Sequence, residues 1–145
     1  MKKVLYSLLF LSFMAGAPLQ TQAQCKSFTK KTCLPNLEPY IYNGQLNSAV
    51  LSEGDVAELL LTFYGGQEYR INICSHELLG DILFQVFDTE KTLLFDNKDK
   101  ELTNTWDFTS NSTQQLIVRV TVPEEKNRSG MVQSGCVSIL VGFKE

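Results

Sequence analysis

The chain has 145 residues, of which 43% are hydrophobic and 20% are charged, with a formal net charge of −3. These values are typical of one globular domain, and they disfavour a disordered chain or a basic nucleic-acid-binding protein. The chain contains one His and one Trp, which limits histidine-based chemistry. Composition therefore narrows the class of protein without indicating an activity.

The first 23 residues have the features of a secretory signal peptide. Lys2 and Lys3 precede an apolar stretch at 5–17, which is too short to span a membrane. Thr21 and Ala23 then place small residues at the −3 and −1 positions of a signal peptidase site. We therefore predict cleavage after Ala23 and export to the periplasm or cell surface, without a transmembrane segment in the mature chain.

The sequence around the predicted cleavage site bears on the anchor and the compartment. A mature chain that begins at Gln24 resembles many exported proteins of the Bacteroidota. A lipoprotein anchor at Cys25 is less favoured, because Gln22 and Gln24 stand where lipoprotein processing uses aliphatic and small residues. We divide the mature chain into an N-terminal disulfide loop with an irregular lead-in at 24–44 and a β-sandwich domain at 45–145.

The cysteines predict a disulfide framework. Cys25, Cys33, Cys74 and Cys136 form an even set, which in an exported protein indicates two bridges. The short spacing from Cys25 to Cys33 favours a local bridge. Cys74 and Cys136 each lie on the less apolar face of a predicted strand, which favours a bridge between them. With His76 as the only His and no Cys-x-x-Cys pair, neither a zinc site nor a nucleophilic cysteine is expected.

Most of the remaining chain alternates between apolar and polar residues in short segments bounded by turn residues. The predicted strands are 45–51, 55–64, 67–74, 81–88, 91–95, 103–109, 114–122 and 136–143. Gly65 and Gly66 predict a two-residue hairpin between the second and third strands. No segment shows a helical period over three turns. We therefore predict an all-β fold, an antiparallel, jelly-roll-like β-sandwich of about eight strands.

Alternation also predicts which side chains share a face of their strand, because successive residues of a strand point to opposite faces. The same-face sets are Ile82, Phe84 and Val86; Leu116, Val118, Val120 and Val122; and Val137, Ile139, Val141 and Phe143.

Three segments resemble the bacterial pre-peptidase C-terminal domain, a small jelly-roll-like sandwich of exported proteins. They are GQEYRI at 66–71, DILFQVFD at 81–88 and LIVRV at 116–120. The resemblance spans about 50–143 and implies a sandwich with an accessory role in an exported protein, without implying an activity. The chain departs from the family at Leu83, where a second acidic residue is common, and it lacks a Gly-Tyr-Tyr before the late strand.

Several polar and aromatic groups are candidate sites. Asp96, Asn97 and Asp99 form an oxygen-rich loop that is a weak calcium candidate, and a solvated turn is the alternative. Trp106, Tyr40 and Tyr42 are candidates for an aromatic platform that contacts a sugar or a partner, although a sandwich core uses the same residue types. Lys26, Lys30 and Lys31 form a basic cluster for an anionic surface or partner, or else a solvated chain end.

The sequence thus predicts an exported, non-enzymatic β-sandwich without a cofactor. We expect it to act as an accessory or binding subunit at the bacterial cell envelope, in a protein-export or surface assembly, with an envelope protein as its partner. The alternative is a carbohydrate-binding module that uses Trp106 and nearby tyrosines. An enzyme would need His76 beside a carboxylate in a cleft, and no nucleic-acid partner is expected.

Overall fold

The computed structural model describes residues 20–124 and 130–144, so most of the predicted signal peptide lies outside the described residues. The described chain forms two antiparallel sheets that face one another, with nine strands. Their bounds are β1 Ile41–Tyr42, β2 Asn47–Ser52, β3 Val56–Phe63, β4 Gln67–Ser75, β5 Leu83–Asp88, β6 Leu93–Asp96, β7 Thr105–Ser110, β8 Gln114–Thr121 and β9 Ser134–Lys144. The predicted all-β sandwich is confirmed, with nine described strands instead of about eight.

Sheet A is organised around β9, which pairs with β4 on one side and with both β1 and β2 on the other. β7 lies beyond β4 at the far edge. Sheet B has the order β3-β8-β5-β6. The turn through Gly54 joins β2 to β3, so these two edge strands border the same side of the sandwich.

The predicted hairpin at Gly65 and Gly66 is wrong. β3 pairs with β8 in sheet B, whereas β4 pairs with β7 and β9 in sheet A, so the glycine turn crosses from one sheet to the other. A Cβ at Gly65 would lie 2.9 Å from the Ser112 Cα, and Gly66 has a φ of +83°. Both glycines are therefore needed for this turn, but neither specifies whether the strands it joins are paired.

The core between the sheets consists largely of these same-face sets. On β8, Leu116, Val118 and Val120 are at most 1% exposed. On β9, Val137, Ile139 and Val141 are buried and Phe143 is partly buried. β9 differs from β8 on its outward face, because Ser138 and Leu140 are also fully buried. Something must therefore cover sheet A from outside.

That cover is a helical segment at the N-terminus. α1 spans Gln20–Phe28, a π-helical turn spans Thr29–Cys33, and a 3₁₀ turn spans Leu34–Leu37. We call residues 25–40 the N-terminal cap. The cap is helical where the sequence predicted an irregular loop, because α1 is shorter than three turns and has few apolar residues to mark a helical period. In the described part of the chain, no helix is long and apolar enough to cross a membrane.

Candidate binding surfaces

Two disulfides fasten the cap to sheet A. Cys25 is bonded to Cys136, and Cys33 is bonded to Cys74. The expected pairs, Cys25 with Cys33 and Cys74 with Cys136, are therefore wrong, although all four cysteines are bridged as predicted. Strand parity placed Cys74 and Cys136 correctly on the outward face of sheet A. It did not reveal that the cap lies over that face and supplies a partner for each.

The cap also makes polar and close steric contacts with β9. The Thr29 and Ser138 hydroxyls, both fully buried, are hydrogen-bonded at 2.6 Å. A Cβ at Gly142 would lie 2.7 Å from the Cβ of Tyr40. Because only glycine leaves room there, the cap lies directly against the sheet. The outer face of sheet A is thus covered over much of its area and offers little free surface.

Tyr40, at the end of the cap, lies within a charged cluster. Its ring is contacted by the Arg70 guanidinium and the Lys144 ammonium, each 4.5 Å from the ring centroid. Its hydroxyl donates to Glu68 at 2.5 Å, and Lys144 donates to the same carboxylate oxygen at 2.8 Å. Arg70 also makes a bidentate pair with Asp107. The cluster therefore secures the end of the cap to β4, β7 and β9.

The ionisation of this cluster follows from its contacts. Burial of the Tyr40 phenol, together with its hydrogen bond to Glu68, raises its pKa. The hydrogen bond from Lys144 holds the pKa of Glu68 below its usual value, and the Arg70 guanidinium does the same for the pKa of Asp107. Each carboxylate is therefore stabilised in its charged form, which suits a structural clamp.

The outer face of sheet B carries a row of apolar side chains across all four strands. The strand registers align Leu60 with Ile117, Ile117 with Phe87, and Phe87 with Leu93. Leu60 and Leu93 are 53% and 49% exposed, and Ile117 and Phe87 are partly buried. We call these four residues the sheet B row.

A polar row runs beside the sheet B row. The Arg119 guanidinium forms an ion pair with Glu58 at 2.5 Å and stacks over the Phe87 ring at 4.5 Å. In the described chain no segment covers this face as the cap covers sheet A. Exposed apolar side chains with charged neighbours are typical of a surface that contacts another protein. The sequence contained a signal for this surface, since Leu60 and Ile117 stand at outward positions of strands that are apolar on both faces.

A cleft of about 330 Å³ opens between the edge strands β2 and β3. It exists because small residues face it, Ala49 from β2 and Ala57 from β3. Its apolar lining includes Val137 and Ile139, and the Asn47 side chain also lines it. The Asn47 Nδ2 atom is buried and has no hydrogen-bond partner. The cleft therefore combines apolar walls with one unpartnered amide.

The predicted aromatic platform does not assemble. Trp106 is paired with Ile71 and faces the core, where its ring stacks on Phe108 at 4.3 Å and on Phe95 at 5.3 Å. Tyr40, at the end of the cap, and Tyr42, packed against the cap, lie on the opposite face of sheet A. Because the sheet separates Trp106 from both tyrosines, they cannot present one joint surface to a sugar.

The acidic loop is built around its central amide. Asn97 is fully buried, and its Oδ1 accepts from the Phe84 N–H while its Nδ2 donates to the Ile82 and Thr103 carbonyls. Asp96 accepts from the Lys98 N–H. Since the Asn97 side chain is hydrogen-bonded to the backbone, its Oδ1 atom is not free to bind calcium.

The remaining candidates lie apart from one another. His76 is exposed, and its Nδ1 accepts from the Leu78 N–H at the start of the 3₁₀ turn Glu77–Leu79. In the described residues, no group of three or more His, Cys, Asp or Glu side chains is arranged to hold a metal ion. Lys26, Lys30 and Lys31 are exposed on the cap, as a basic cluster requires.

The architecture is that of a two-sheet, disulfide-bridged β-sandwich with a helical cap. Among solved structures, the chain is similar in fold to the periplasmic lysozyme inhibitor PliG of Aeromonas hydrophila, described as an inhibitor of g-type lysozyme. The TM-score is 0.50 at 12% sequence identity, over 73% of this chain and 89% of that one. No protein-family model matches the chain, and no curated protein matches it either. The likeness supports the sandwich fold, whereas the resemblance to the pre-peptidase C-terminal domain stays a prediction.

Proposed function

We propose that this chain is an exported, non-enzymatic binding protein whose partner is another protein of the cell envelope. The two disulfides favour an oxidising compartment, in agreement with the predicted signal peptide at 1–23. The structural neighbour is a periplasmic inhibitor, a protein that acts by binding. These observations support the class of protein and leave the identity of the partner to experiment.

The observation that carries the proposal is the exposed sheet B row. Its four apolar side chains cross the whole outer face of sheet B, and the two end residues are about half exposed. The cap covers the equivalent face of sheet A, whereas no segment within residues 20–124 and 130–144 covers the outer face of sheet B. Burial of such apolar side chains by a partner removes apolar surface from water and favours association.

Capture from the native envelope tests the proposal. Full-length tagged protein is compared with the double variant Leu60→Lys, Leu93→Lys, and with Leu78→Lys as a control that introduces one lysine away from the row. Leu78 is 52% exposed, which matches Leu60. We expect a stoichiometric envelope protein with the wild type and the control, and at least a tenfold smaller recovery with the double variant. Equal recovery from all three would show that the row is not the contact surface.

A second candidate partner follows from the structural comparison. By analogy with PliG, this alternative partner is a lysozyme that the chain inhibits, whereas the partner proposed above is a subunit of an export or surface assembly. Purified protein is titrated into g-type lysozyme, and lysis of cell walls is followed by turbidity. Dose-dependent inhibition that Leu60→Lys weakens and Leu78→Lys retains would support the inhibitor. Full lytic activity at excess protein would reject it in favour of an assembly partner.

A further inference from the structure

We infer that the cleft between β2 and β3 binds an extended peptide segment of a partner protein, which inserts an apolar side chain between the two sheets. The inference deepens the proposed function and rests on it, because it specifies how a protein partner is held. Its evidence is separate from the sheet B row, since it comes from the open side of the sandwich.

The first argument is the unpartnered amide. Asn47 pairs with Ile139 on β9, so its side chain points between the sheets, in line with Ala49 and Leu51. A buried polar group without a hydrogen bond is costly, and an apolar residue at this position would avoid the cost. The carboxamide of Asn47 has both a donor and an acceptor. A peptide group can pair with both, because its C=O accepts and its N–H donates. The amide is therefore accounted for if a backbone segment lies beside it.

The second argument is the size and lining of the cleft. At about 330 Å³ it lies at the lower end of the roughly 300–1,000 Å³ found for pockets that enclose whole ligands. It is open along one side and is lined largely by aliphatic side chains, among them Leu51, Leu59 and Val120. These features suit one or two side chains of a longer segment better than a whole small molecule.

The third argument is the backbone on both sides of the cleft. β3 pairs only with β8, and β2 pairs only with β9, within the part of the chain that the structure describes. Each is an edge strand, and an edge strand presents N–H and C=O groups that an added strand can pair with. A peptide that extends along β3 would gain main-chain hydrogen bonds there while its alternate side chains enter the cleft.

Selection from a displayed library of random octapeptides provides a defined probe. Selected peptides are synthesised, and each is titrated into ¹⁵N-labelled protein while the side-chain NH₂ signals of Asn47 and the β3 amides are followed by NMR. We expect saturable shifts at both places, and we expect peptides with apolar residues at alternate positions. N-methylation of the peptide groups that pair with β3 should weaken binding at least tenfold.

Three variants test whether the cleft binds a peptide or has only a structural role. Ala57→Leu fills the cleft and should weaken peptide binding at least tenfold. Asn47→Leu should do the same while it raises Tm, because it removes the buried unpartnered amide. Leu78→Lys, at an exposed position that does not line the cleft, should leave peptide binding unchanged.

Two outcomes would overturn the inference: no peptide is enriched, or the selected peptides bind Ala57→Leu as well as the wild type. If envelope capture fails with Leu60→Lys, Leu93→Lys but survives in Ala57→Leu, the proposed function stands and the peptide site is rejected.

Discussion

The outer faces of the two sheets differ in what covers them. Sheet A is covered by the N-terminal cap, which is held by two disulfides, a buried hydroxyl pair and the cluster around Tyr40. Sheet B carries the exposed apolar row, and no described segment lies over it. Outward apolar residues therefore have different roles in the two sheets. In sheet A they stabilise the fold, whereas in sheet B we propose that they bind a partner.

Among the changes considered, removal of the disulfides that hold the cap on sheet A should lower stability most. Cys25 and Cys136 are 111 residues apart in sequence, and Cys33 and Cys74 are 41 apart. In the chain-entropy model the longer closure contributes about 5 kcal/mol and the shorter one about 4 kcal/mol. We expect each double Cys→Ala variant to lower the free energy of unfolding by about 3–5 kcal/mol, measured by urea denaturation. A loss below about 1 kcal/mol for either pair would show that the cap is held without that bridge.

A matched pair of truncations, one on each sheet, should show how much the cap contributes to the burial of outward side chains. Leu140 and Ile117 both point outward, from β9 and from β8, but Leu140 is fully buried under the cap whereas Ile117 is only partly buried. We expect Leu140→Ala to cost about 2–5 kcal/mol of unfolding free energy, because it leaves a cavity. Ile117→Ala should cost about 1 kcal/mol or less. Equal costs in urea denaturation would contradict the difference in coverage.

Acid should loosen the cap selectively and to a smaller degree. Lys144 lowers the pKa of Glu68 in the folded state, so this carboxylate contributes stability above its unfolded pKa of about 4. That contribution is lost as the pH falls through the folded pKa. We expect hydrogen-exchange protection of the cap amides to fall by a few-fold from pH 6.5 to pH 3.

Two carboxamide variants provide the controls for this acid effect. Glu68→Gln should already show reduced protection of the cap at pH 6.5, with a smaller further change on acidification, since Asp107 still titrates. Glu58→Gln alters a carboxylate whose pKa is lowered by Arg119 on sheet B, and it should leave the cap unchanged. An equal effect of both variants on cap protection would show that the acid response does not depend on Glu68.

Much of the fold could be predicted from local alternation. In the sets around Phe84, Val118 and Ile139 every member except Phe143 is buried, because the period of a strand is fixed by its backbone. The pairing of strands could not be predicted in the same way. Gly65 and Gly66 are compatible with a hairpin and with a turn between sheets, and the choice depends on distant strands such as β8 and β9.

The candidate sites could be predicted less well, because exposure depends on what lies opposite each face. Parity placed Cys74 and Cys136 on the outward face, yet it gave no information about the cap that covers them. Tryptophan is common both in cores and on binding surfaces, so its residue type does not settle the position of Trp106. Its stacking on Phe95 shows that it faces the core. Asn97 was a candidate calcium ligand for a similar reason. Alternation gives no information about the backbone groups of Ile82, Phe84 and Thr103 that its side chain contacts.

The position of β9 has a consequence for biogenesis. β1, β2 and β4 of sheet A all pair with this last strand, whereas the four strands of sheet B are all encoded before it. As the chain emerges from its N-terminus, sheet B can therefore assemble while sheet A still lacks its central strand. Cys25 is the first of the four cysteines to emerge, but its partner Cys136 is the last. The cap can thus be bridged to β4 through Cys33 and Cys74 first, whereas the bridge to β9 closes only after that strand has emerged.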